Sequence, residues 1–88
     1  MKDTTHSIDG TNIAVHTEQV TTCPLAFIIK ATHPDGATHE ASLKIGDSEL
    51  KNVPTLPQAQ SDLNAAREAV AQMCHKKAVL ANIAASLE

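Results

Sequence analysis

The sequence has no tryptophan and no tyrosine, and Phe27 is the only aromatic residue among its 88. Single-strand nucleic-acid binders stack bases on several aromatic faces, and one Phe is no such platform, which argues against binding of that kind. Any core must be aliphatic. Glycine is scarce too: Gly10, Gly36 and Gly46 all stand at turn positions, and none belongs to a phosphate-cradling loop. Positive charge is short as well. Seven Lys+Arg against ten Asp+Glu leave a net charge of −3, so no global positive field draws in nucleic acid. No apolar run approaches the ~20 residues needed to span a bilayer, and the polar start MKDTTHSIDG contains no signal-peptide core. The chain therefore reads as cytoplasmic, with no membrane partner. Two cysteines, Cys23 and Cys74, form neither a disulfide framework nor a CxxC pair.

What is present describes one small domain, because a chain this short has no room for a second core. Residues 1–10 carry no apolar periodicity and read as a flexible N-terminal tail, with a single domain over 11–88. Ile13, Val15 and Thr17 alternate with Ala14, His16 and Glu18, which predicts a strand over about 11–20. LAFIIKAT predicts a second strand over about 24–32, and an alternating segment predicts a third over about 37–45. Between these last two, His33-Pro34-Asp35-Gly36 suits a type I turn closing on a left-handed glycine, the three-residue hairpin with a bulge.

That turn sets a register. It places His33 opposite Ala37, so Ala31, Ile29, Phe27 and Leu25 face His39, Ala41, Leu43 and Ile45 on one side. Lys30 then meets Glu40 on the other side, and Thr32 meets Thr38. A two-residue loop would slip the pairing by one and set Ile29 against Glu40. A short fourth strand over about 49–53, with Leu50 as its main apolar residue, is the remaining strand expectation.

From Thr55 to Leu87 there is one long helix. Thr55 and Gln58 make a capping box, Pro57 is tolerated in the first turn, and alanine is frequent throughout. The positions 56, 59, 63, 66, 70, 73, 77, 80, 84 and 87 step by threes and fours and are all apolar except Lys77. Arg67, Glu68, Gln72, Lys76 and Asn82 lie off this stripe and are expected to face water. The fold class that follows is α+β, an antiparallel β-meander of three to four strands with one long C-terminal helix packed on one sheet face.

Length then raises a question of partners. A helix of about 32 residues runs about 48 Å, whereas strands of about nine residues cover about 30 Å. The far end must overhang. Leaving Val79, Leu80, Ile83 and Leu87 in water forgoes about 1.5–3 kcal/mol for each. Either the helix breaks near Cys74-His75-Lys76 and folds back, or the overhang packs on a second copy. No turn residue marks a break, so a homodimer through Met73, Val79, Leu80, Ile83 and Leu87 is expected. The closing Leu87-Glu88 also matches the scar left between a cloned chain and a purification tag, and on that reading Leu87 carries less weight.

Chemistry is thinly represented. Five histidines suggest metal binding, but no HxH, HxxxH or CxxC spacing accompanies them. Cys74 adjoins the apolar stripe, where a cysteine serves as a small inert core residue, while Cys23 lies in a loop with no base fixed beside it. No catalytic residue, cofactor site or metal site is assigned. The leading expectation is a non-enzymatic protein-interaction module, in the manner of small adaptors, inhibitors and accessory subunits, phage-borne ones among them. The alternative is a nucleic-acid accessory protein using a basic helix patch of Arg67, His75, Lys76 and Lys77. A metal- or thiol-dependent activity comes third.

Overall fold

A computed structural model describes residues 1–88. Four strands, β1 (Lys2–Ile8), β2 (Thr11–Thr22), β3 (Leu25–Thr32) and β4 (Thr38–Ile45), form one antiparallel sheet in the order of the chain. A single helix, α1 (Leu56–Leu87), follows and packs across one sheet face. The fold is an α+β meander closed by one long helix. No helix is long and apolar enough to cross a membrane.

The β3–β4 hairpin has the register that its turn dictates. Ala31 faces His39, Phe27 faces Leu43, and Lys30 faces Glu40. The Gly36 amide donates to the His33 carbonyl at 2.9 Å, and the His33 amide donates to the Ala37 carbonyl at 2.8 Å. Gly36 adopts φ +102, the left-handed conformation that L side chains resist.

Two segments differ from expectation. Residues 2–8, read as tail, form the edge strand β1, joined to β2 by the two-residue turn Asp9-Gly10, with Ile8 paired to Thr11. Both turn residues have positive φ, 50 and 81, as a type I′ hairpin requires. Its sequence lacks the alternating apolar pattern of a strand because its inward residues are Thr4, His6 and Ile8, of which only Ile8 is apolar. An edge strand can be this polar because one side of it meets water. The proposed fourth strand at 49–53 is absent; its place is taken by turns and an irregular run. There Asp47 accepts the Lys51 amide at 2.8 Å and the Asn52 side chain at 3.3 Å, and this local bonding displaces strand pairing. Leu50 points into solvent with φ +61.

The core lies between sheet and helix. Ile13 and Val15 from β2, Ile29 and Ala31 from β3, and Val70, Ala71 and Cys74 from α1 are fully or almost fully buried. Leu63, Ala66, Ala41 and Leu43 pack at its border. The helix buries Arg67, Val70, Ala71, Cys74 and Ala78 rather than the whole threes-and-fours stripe. A strict three-four alternation repeats every 3.5 residues, whereas a straight helix turns every 3.6, so the stripe drifts by about 20° per heptad off the sheet. Met73 is consequently 45% exposed, and Ala78 takes the sheet-facing place expected of Lys77.

Candidate functional site

Thr55 opens α1 by accepting the Gln58 amide on its side chain at 3.3 Å, and the helix continues unbroken through Cys74-His75-Lys76 to Leu87. Its last contacts with the sheet form a collar. The Cys74 thiol donates to the Ala37 carbonyl at 3.3 Å, and the Lys77 ammonium donates to the Thr38 carbonyl at 3.3 Å. His75 Nε2 lies 3.4 Å from the Asp9 carboxylate in the β1–β2 turn. Ala78 is the last buried residue, and every position from Val79 onward is exposed.

The projecting end is apolar over most of its circumference. Val79, Leu80, Ile83 and Leu87 are 41%, 64%, 49% and 82% exposed. No charged residue occurs from Ala78 to Leu87, and Asn82 and Ser86 are the only polar side chains there. Shallow grooves flank it, one lined by Asp9, His75, Lys76, Val79 and Leu80, another by Val79, Asn82, Ile83, Ser86 and Leu87. A free helix that is apolar on most sides is not at rest in water.

The basic patch expected of Arg67, His75, Lys76 and Lys77 is not assembled. Arg67, placed among the water-facing residues by its offset from the stripe, is 5% exposed and faces the sheet. Its Nε donates to Thr17 Oγ1 and its Nη1 to Asn64 Oδ1, both at 2.9 Å. A guanidinium on a long apolar stem can sit in this position because Thr17, in the otherwise apolar inner row of β2, supplies an acceptor. His75 is half-buried, and Lys77 is drawn to Thr38. Lys76 alone points free.

Of the remaining four histidines, His39 is partly buried on β4 opposite Ala31, and the other three lie in separate places. His6 Nδ1 meets the Glu68 carboxylate at 2.8 Å, tying β1 to the helix. His16 Nδ1 meets Asp3 at 2.6 Å across the outer face of β1 and β2. Asp3 chiefly, and then Glu18, raise the His16 pKa above its ordinary 6.5. His33 and His75 bring their rings to 5.8 Å near the collar. No three His, Cys, Asp or Glu side chains converge on a metal-sized site. Cys23 is exposed, Cys74 is buried, and both are free. Burial pushes the Cys74 thiol up, away from the thiolate that nucleophilic chemistry needs.

A second apolar surface lies at the other end of the molecule. There Cys23, Leu25, Ile45, Leu50, Val53 and Leu56 line an open hollow of ≈ 350 Å³. No protein-family model, curated protein or solved structure matches the chain.

Proposed function

We propose that this chain is a non-enzymatic protein-interaction module, an adaptor or accessory subunit, that pairs with a second copy through the projecting end of α1. The observation that carries the reading is the overhang itself. Val79, Leu80, Ile83 and Leu87 extend past the last sheet contact with no intramolecular partner. Full burial of one such side chain from water is worth about 1.5–3 kcal/mol, and these four keep 41–82% of their surface exposed, so a second copy recovers only part of that from each. Catalysis is not part of the proposal, since burial raises the pKa of the one buried thiol, away from the nucleophilic thiolate.

Light scattering on a sizing column tests it. The expected mass is near twice 9.3 kDa, at low and high salt alike, because the contact is apolar. Leu80→Asp with Ile83→Asp is expected to give a monomer with unchanged circular dichroism. A wild-type monomer overturns the reading, and so does a double variant that stays dimeric.

A further inference from the structure

The sheet has two edges, and they are not guarded alike. The open N–H and C=O groups of an edge recruit other strands unless proline, a bulge or an inward-pointing charge prevents it. β1 carries Lys2 on its helix side, in one row with Thr4, His6 and Ile8. β4 has no such device. Its eight residues contain no proline and pair with β3 without a bulge. Its helix-side row is His39, Ala41, Leu43 and Ile45, and its two charges, Glu40 and Lys44, stand on the other side with opposite signs.

The open backbone groups of β4 follow from its pairing. The Ala37 carbonyl accepts the His33 amide, so the odd-numbered residues of β4 bond to β3 and the even-numbered ones turn outward. The Thr38 carbonyl takes the Lys77 ammonium at 3.3 Å. Glu40, Ser42 and Lys44 face no further strand, because β4 is last in the sheet. Both charged side chains are exposed, and neither forms an ion pair within the chain.

A second β4 running antiparallel complements this edge in one register. With a two-fold axis at Ser42, Glu40 of each copy stands opposite Lys44 of the other, and Ala41 opposite Leu43. An axis at Ala41 sets Lys44 against Thr38, and one at Leu43 sets Glu40 against Gly46. An axis at Glu40 or at Lys44 sets like charges together.

We infer that β4 is a second self-association edge, at which two copies join antiparallel about Ser42 into one continuous sheet with both helices on the same face. Ala41 and Leu43, half-buried at the border of the core, then pack against each other across the seam. This edge is a different surface from the projecting end of α1, and its pairing does not depend on the contact proposed there. A ladder along one strand is smaller than the interfaces that hold in dilute solution, so it forms in concentrated protein. Together with pairing through α1 it joins dimers into closed tetramers or longer chains.

Leu80→Asp with Ile83→Asp removes the apolar end of α1, so association in that background reports on β4. Sedimentation equilibrium is expected to give the mass of one chain in dilute protein, rising toward twice that in concentrated protein. Added to it, Glu40→Lys alone or Lys44→Glu alone is expected to weaken association about tenfold, because both symmetric pairs become repulsive. An equal mixture of the two variants is expected to restore it, since every Lys then meets a Glu. Amide exchange at Glu40, Ser42 and Lys44 is expected to slow as concentration rises. A mass that does not rise overturns the inference, as does a mixture that associates no better than either variant alone. Exchange at those three amides that ignores concentration overturns it too. The mass of the wild-type chain in dilute solution tests the α1 contact separately, so either contact can fail while the other stands.

Discussion

Arg67 is a cation placed in the core without a carboxylate, held by Thr17 and Asn64 alone. Removing its partner leaves a buried N–H unpaired, which costs about 1–3 kcal/mol. Thr17→Val is therefore expected to destabilise the protein by that amount in denaturant unfolding. In an Arg67→Met background the same substitution is expected to cost far less, because both polar partners are then gone. Equal losses in the two backgrounds would mean that the bond contributes nothing. His16 is a different residue-scale test. Its raised pKa, due first to Asp3 and then to Glu18, means that the folded state binds the proton more tightly than the unfolded chain. The stabilisation is present in full below about 6.5 and is lost as pH rises through the higher folded pKa. An NMR titration is expected to place the His16 midpoint above 6.5, and Asp3→Asn to lower it more than Glu18→Gln. A midpoint unmoved by Asp3→Asn would break the assignment.

At the scale of elements, the β3–β4 hairpin was the most legible part of the sequence. Turn chemistry at His33-Pro34-Asp35-Gly36 and alternation on both sides demanded one register, and Lys30–Glu40 and Thr32–Thr38 agree with it. Gly36 has open space where a Cβ would stand, so a substitution there meets only backbone strain at φ +102. Gly36→Val is expected to destabilise by about 1 kcal/mol or more and to lower Tm, because β-branched residues resist the left-handed region. An unchanged Tm would contradict the turn assignment. β1 was less legible, since its pattern is polar and its one strong signal is the Asp9-Gly10 turn. The helix was legible in extent and only partly in orientation. Val70 lies on both the threes-and-fours stripe and the buried face, but Met73 and Leu80 lie on the first alone.

At the scale of the molecule, an extent of 52 Å in one direction against 22 and 17 Å in the others is the overhang made visible. Val79, Leu80, Ile83 and Leu87 were recognisable as an exposed apolar overhang from lengths alone, because a helix of 32 residues outruns strands of eight. The outward position of Met73 was not, because a residue on the apolar stripe is expected to be buried until the position of the sheet shows which way it faces. Local rules thus determined the strands β2 to β4, the bulged hairpin, the helix and its excess length, since turn geometry, alternation and rise per residue act over a few neighbours. Only the tertiary structure decided that Arg67 goes inward, that a polar segment becomes an edge strand, and which helix face is left bare. Those outcomes depend on acceptors and surfaces supplied by residues far away in the chain, as Thr17 does for Arg67 and Glu68 for His6.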